Sequence, residues 1–204
     1  MRFADVVRAR RMVRNYRTDP VEPAALERIL DTARRGPSAG FAQGVHFIVL
    51  DDPAARARMA ELCGESRYAA HGFDRWLSRA PVHVVPCVRR ADYDARYAAA
   101  DKTRSGSPDD WTVPFWWVDA GAALMLLLLA TVDEGLAAGL LALDDSPPLR
   151  DLLGLPDDVE PLGLVTVGHA APDRLSGSVG RGRRPLDEVV HRGRWGRDGT
   201  RQAR

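Results

Sequence analysis

The sequence predicts a single domain that mixes helices with strands. Three observations lead there. The chain has 204 residues, of which 45% are hydrophobic, enough to build one core. Two short apolar runs, Val45-His46-Phe47-Ile48-Val49-Leu50 and Val82-His83-Val84-Val85, read as buried strands. A longer apolar run, Ala120 to Val132, lies between Asp119 and Asp133 and reads as a buried helix.

The elements follow in order. Phe3, Val6 and Val7 share one helical face, and arginines follow at its end. Pro23 holds a favourable first-turn position, Leu26, Ile29, Leu30 and Ala33 form a helical stripe, and Gly36 stops it. A loop from Pro37 to Gly44 precedes the first strand. Residues 53–62 and 68–79 read as helical, and the second strand follows. From Arg89 to Pro114 the chain turns polar, with no core pattern. A connection this long predicts a functional lid at about 89–113, to which Tyr93, Tyr97 and Trp111 give binding surface. The long helix runs from about Trp116 to Gly135, apolar on all sides through its middle. Its 13-residue apolar run falls short of a bilayer, which needs roughly 20 residues. Leu140 to Leu143 reads as a strand edge, Pro147 to Leu153 as a short helix that Gly154 ends, and Leu162 to Val167 as a further strand. The tail from Arg174 is rich in Gly and Arg, with Leu186, Val189 and Val190 to bury. Without repeats or a clear boundary, residues 1–204 read as one domain.

Composition narrows the class. A net charge of +1 does not call for a nucleic-acid partner. Lys102 is the only lysine, so 28 of the 29 basic residues are arginine, and any one Arg cluster carries less weight. Cys63 and Cys87 imply neither a disulfide framework nor a zinc site, and the five histidines are scattered, so no metal is expected. No charged-then-apolar leader opens the chain, which makes a cytoplasmic protein without a membrane anchor the expectation.

Three motifs carry chemistry. Arg10, Arg11 and Arg14 lie near the start, and Arg181, Arg183 and Arg184 near the end. Between them lies Pro37-Ser38-Ala39-Gly40-Phe41-Ala42-Gln43. Guanidinium forks suit a phosphate, and a small-residue loop suits a flat ring laid against it. Each has a bland alternative. The first cluster reads equally as a solvated helix end, the last as a disordered tail, Ser38 as a turn residue, and Trp116 and Trp117 as core aromatics.

The order of these motifs resembles the FMN-dependent nitroreductase family. Arg10-Arg11-Met12-Val13-Arg14-Asn15-Tyr16 is similar to its Arg-Arg-Ser-x-Arg-x-Phe/Tyr opening, and Pro37 to Phe47 to its Pro-Ser-x-x-Asn-x-Gln-Pro-Trp-x-Phe segment. Ala120 to Gly139 resembles the central helix and small-residue turn, Pro148 to Gly168 the next segment, and Arg181 to Glu188 the basic C-terminal phosphate motif. The resemblance implies an α+β fold with a mixed central β-sheet surrounded by helices. It implies a homodimer with FMN at the subunit interface, where each site takes arginines from one subunit and the Pro-Ser loop from the other. An extended C-terminal arm is expected to wrap the partner.

Roles follow from the resemblance. Arg10, Arg181 and Arg183 are candidates for the phosphate, Arg11 for phosphate or ribityl chain, and Arg14 for the pyrimidine edge. Met12 contributes main chain; Pro37, Ser38, Ala39, Phe41 and Gln43 lie along the cofactor, and the main chain of Leu140 and Leu141 faces the flavin N5. Phe41, Tyr93, Tyr97, Trp111 and Trp116 are the substrate-facing candidates. The implied activity is hydride transfer from NADH or NADPH, through flavin, to a small nitro-, quinone- or other aromatic acceptor by a ping-pong scheme. No separate catalytic residue is required. Alternatives are specialised flavin chemistry on the same fold (dehalogenation, azoline or peptide dehydrogenation, flavin fragmentation) and a non-catalytic flavin-binding protein. Three departures stand out: Met12 for a hydroxyl residue, Phe41 for Asn, and Gly44-Val45 for Pro-Trp. The first removes a side-chain hydrogen bond to FMN, and the other two predict a more apolar and more flexible loop.

Overall fold

The computed structural model describes residues 1–102, 106–174 and 180–196. Residues 103–105 of the expected lid, and 175–179 and 197–204 of the expected arm, lie outside the described residues. The chain forms two compact units, Met1–Asp173 and Arg174–Arg204.

In the first unit, β1 (Val45–Leu50) pairs antiparallel with β2 (Val82–Arg89). On the other side of β2 lie β5 (Leu164–Gly168), opposite its first half, and β4 (Val159–Pro161), opposite its second. The strand β3 (Ala137–Leu141) closes the order as β1-β2-β5-β3. Its outer side receives a parallel bridge from Met12. That bridge gives the sheet its mixed character, because the named strands all pair antiparallel.

Strand periodicity sends alternate residues of β2 to opposite faces. Val82 and Val84 enter a core shared with α2 (Pro23–Ala33) and α7 (Phe115–Asp133), including Ile29, Leu127 and Leu128. Val85 and Cys87 enter a second core with α3 (Pro53–Leu62), α5 (Trp76–Arg79) and α8 (Pro147–Leu153), including Met59, Leu77 and Leu149. Helices therefore cover both faces, which explains why β2 reads as a continuous apolar run. Burial pushes the His83 imidazole, between these strands, down to about 4; its Nε2 meets the Leu77 carbonyl at 2.8 Å.

Local chemistry sets the helix ends. Pro occupies the first turn of α2, α3 and α8, where a missing N–H costs nothing. The Asp52 carboxylate caps α3 by accepting from Ala55 N, and Gly154 ends α8 in a left-handed conformation. The expected 68–79 helix is broken instead. The short α4 (Glu65–Ala70) stops before Gly72, which has φ 81°, and α5 starts at Trp76. β2 runs four residues past its predicted end, and β3 starts earlier, at Ala137.

Two expectations about the middle of the chain are corrected. The polar stretch after β2 contains a helix, α6 (Arg90–Tyr97), which the charged residues hid. And α7 is not covered on all sides. It is long and apolar enough to cross a bilayer, yet Ala123, Leu127 and Leu128 pack in the core while Phe115, Val118 and Met125 stay exposed. The exposed residues recur at i, i+3 and i+10, one stripe of the helix.

In the second unit, α9 (Leu186–Val189) follows Pro185, and Arg184 pairs with Glu188 at 3.1 Å. Leu186, Val189, Val190 and Trp195 are exposed.

Candidate functional site

The predicted residues fall at two ends of α7. At the N-terminal end, Pro37, Ser38, Phe41 and Gln43 line a cleft of about 470 Å³ with Arg34, Arg35, Val45, Asp119 and Ala123. That size suits a small-molecule site, typically about 300–1,000 Å³. Backbone shape defines this end. Gly40, Phe41 and Gln43 have φ of 61°, 60° and 56°, and Phe41 is 73% exposed. A left-handed Phe is uncommon, and such strain persists only where the surroundings impose it.

The surroundings here are polar. Ala39 N donates to Asp119 Oδ2 at 2.8 Å, Gln43 N donates to Ser38 Oγ at 2.8 Å, and Arg96 Nε donates to the Gly40 carbonyl at 2.7 Å. Arg89 N donates to the Gly44 carbonyl at 2.9 Å. These bonds tie down the loop that the sequence reads as more flexible. Gly44 is present because the Tyr93 ring lies on it: a Cβ there would sit 2.4 Å from Tyr93 Cε2.

Tyr93, Tyr97, Trp111 and Trp116 do come together. Ring centroids are 4.9 Å apart for Tyr97 and Trp111, and 6.2 Å for Tyr93 and Trp116. Tyr97 and Trp111 are half-buried, as is Trp116, over which the Arg90 guanidinium lies at 5.2 Å. Tyr93 differs from its expected place on a lid. It is fully buried, and its hydroxyl donates to Asp119 Oδ2 at 2.9 Å. Burial first, then the Asp119 carboxylate, pushes its phenol well above the ordinary value, so it stays a donor. Tyr93 therefore supports the loop from behind instead of facing a substrate.

The arginine end lies elsewhere. Val13 N donates to the Ala138 carbonyl at 3.0 Å, and Met12 bridges Ala138, so this segment runs along β3. Gly139 admits it, since a Cβ there would meet the Val13 carbonyl at 2.5 Å. Arg14 N donates to Asp173 Oδ2 at 2.8 Å, and Arg11 Nη1 lies 3.6 Å from the same oxygen. The Tyr16 hydroxyl meets Thr166 Oγ1 at 2.8 Å and locks the turn beneath. Arg10 and Arg14 are half-buried and Arg11 exposed. Arg11 and Val13 line a hollow of about 240 Å³ with Val132 and Gly135, at the C-terminal end of α7. From Asp119 to Val132 a helix climbs about 20 Å. One chain therefore does not bring the arginines and the Pro-Ser loop together.

Leu140 and Leu141, half-buried on β3, continue from the arginine segment; a Cβ on Gly163 would lie 2.9 Å from the Leu141 carbonyl. Arg181 and Arg183 are exposed in the second unit. Among the described residues no cluster of His, Cys, Asp or Glu could hold a metal ion. Asp119, Asp173 and Arg96 escaped the sequence reading. Asp119 had served only as the border of an apolar run, although a carboxylate entering such a run was itself a signal.

The antiparallel sheet between helix layers, with a strapped loop at one end of the central helix and arginines at the other, has the architecture of a flavin oxidoreductase. The chain belongs to the nitroreductase family, whose profile, described as the nitroreductase family, matches residues 7–169. It is 28% identical over 187 residues to a Bacillus subtilis protein named FMN reductase [NAD(P)H], covering 89% of this chain and 69% of that one. A Staphylococcus aureus NADPH-dependent oxidoreductase is 22% identical over 200 residues, covering 95% and 74%. Among solved structures, a nitroreductase family protein from Streptococcus pneumoniae superposes with a TM-score of 0.71 at 21% identity, covering 93% and 99%. The last shows likeness of fold.

Proposed function

We propose that the protein is a cytoplasmic, homodimeric FMN-dependent oxidoreductase, fed by NADH or NADPH, that reduces a small aromatic, quinone or nitro-type acceptor by a ping-pong scheme. The observation that carries this reading is the separation of the two half-sites along α7. A dimer joins the arginine end of one chain to the loop end of another. The exposed stripe of Phe115, Val118 and Met125 starts at the loop end of α7 and runs toward the arginine end, offering the apolar surface for that contact.

The residues present suit FMN. Arg10 and Arg11 supply guanidinium forks for a phosphate, and Arg14 a cation for the pyrimidine edge. The second unit, taken by itself, carries exposed Arg181 and Arg183, the remaining guanidinium candidates for a phosphate, and exposed Leu186, Val189 and Trp195. Ser38 lines the cleft with a hydroxyl, and the Leu140–Leu141 main chain is the candidate for the other half. When bound, FMN would supply the two-electron redox chemistry between nicotinamide and acceptor. Phe41, Tyr97, Trp111 and Trp116 hold a flat acceptor by stacking, and the strapped loop excludes water from the ring.

The visible spectrum of the purified protein tests this reading. A flavin spectrum that bleaches on anaerobic NADH or NADPH and returns with a quinone or nitroaromatic is expected. Protein that carries no flavin and fails to bind added FMN contradicts it.

A further inference from the structure

We propose that Asp119 is a positioning residue that couples α6 to the cofactor-facing loop, through one carboxylate oxygen shared by Tyr93 and Ala39. The functional weight of this inference rests on the flavin reading above. Its structural content does not.

Asp119 is 4% exposed, in the second turn of an otherwise apolar helix. A buried carboxylate is costly unless hydrogen-bonded. Its Oδ2 takes the Tyr93 hydroxyl at 2.9 Å and Ala39 N at 2.8 Å. The two donors come from α6 and from the loop, so one atom fastens both elements to α7. The loop needs the fastening, because Phe41 and Gln43 are left-handed. Ser38 and Arg96 supply further ties, but both are half-buried, whereas Asp119 is shielded from competing water. A second contact runs the same way. The Tyr93 ring fills the space over Gly44, and Tyr97 of α6 lies against Gly40. A change in α6 therefore shifts the loop, and α6 also carries Tyr97, part of the aromatic face beside the cleft. Acceptor choice and cofactor grip become linked properties.

The test combines two readouts on the full-length protein: exchange of the Ala39 amide by NMR, without flavin, and FMN affinity by fluorescence. Asp119→Ala should speed Ala39 exchange and weaken FMN binding, each by about tenfold. Asp119→Asn, whose amide oxygen still accepts both bonds, should stay within about threefold of the parent on both readouts. Tyr93→Phe, remote from the cofactor, should fall between them. Unchanged Ala39 exchange in Asp119→Ala or in Tyr93→Phe overturns the proposal. So does an Asn variant as impaired as the Ala variant. If Asp119→Ala does not fold, the Asn and Tyr93→Phe arms decide. If the parent protein binds no FMN, the flavin reading fails while the exchange arm still judges Asp119.

Discussion

The two ends of α7 differ in how complete they are. At the loop end, one chain supplies everything that holds the backbone in place: Asp119, Ser38 and Arg96 strap Ala39, Gln43 and Gly40, and Tyr93 fills the space behind. At the arginine end, Asp173 and β3 hold the backbone, and the exposed Arg11 side chain has one ion pair, to Asp173 at 3.6 Å. One end is strapped by side chains of several elements, and the other presents half-buried Arg10 and Arg14 beside exposed Arg11. A helix of this length keeps them about 20 Å apart. The lesson is that the cleft is built within a chain, while the full site as proposed takes two.

The largest effect should come from breaking the joint between ends. Replacing both Val118 and Met125 by Glu puts charges on the exposed stripe, which should weaken dimerisation at least a hundredfold, about 3 kcal/mol. Light scattering should then report monomer, and flavin should be lost although neither residue is among those assigned to the cofactor. A flavin-loaded monomer would remove the contrast between the ends.

The sheet provides an internal control, next in size. His83 is buried with its pKa lowered to about 4, whereas the unfolded chain keeps the ordinary 6.5. Between those values the unfolded state holds the extra proton, so stability falls as pH drops from 6.5 to 4. The loss should approach about 3 kcal/mol. Urea unfolding from pH 7 to pH 4 should show that slope, and His83→Leu should flatten it. Flavin loss that follows this slope reports on the fold, not on either end.

Arg14→Ala should weaken FMN binding by about 2 kcal/mol, roughly thirtyfold. Thermal stability should hardly change, since the backbone N–H of residue 14, which Asp173 holds, remains. Fluorescence titration beside a melting curve separates the two. The smallest effect belongs to Phe41. Asn tolerates the left-handed region that Phe41 occupies, so Phe41→Asn should stabilise the protein by about 0.5–1 kcal/mol. It should also change acceptor preference while leaving FMN affinity near the parent value.

Much of this was legible in the sequence, for physical reasons. The stripe of Leu26, Ile29, Leu30 and Ala33 gave α2, Pro53 and the following residues α3, and the pair Pro147 and Gly154 bounded α8 to the residue. The loop and arginine motifs stood out because glycine, proline and charge are sharp local signals. What was hidden was tertiary. Helix α6 carries Asp92, Asp94 and Arg96 and buries Tyr93, too few apolar residues for a stripe. The reason for Gly44 was hidden because the ring that occupies its space comes from α6. Asp119 looked like a flank because its partners, Ala39 and Tyr93, are distant in the chain. The exposed stripe on α7 could not be separated from core, since the exposed and buried positions of this helix are alike apolar.

The central claim, one site from two chains, is tested most directly by complementation. One variant loses the arginine end through Arg10→Ala, Arg11→Ala and Arg14→Ala; the other loses the loop end through Ser38→Pro and Gly44→Trp. Each alone should bind no FMN. Random re-association of equal amounts places one intact site in each mixed dimer, so about one quarter of the parent flavin content should return. Return of that fraction is the predicted result. No flavin in a mixture whose mixed dimers have been verified would contradict the claim.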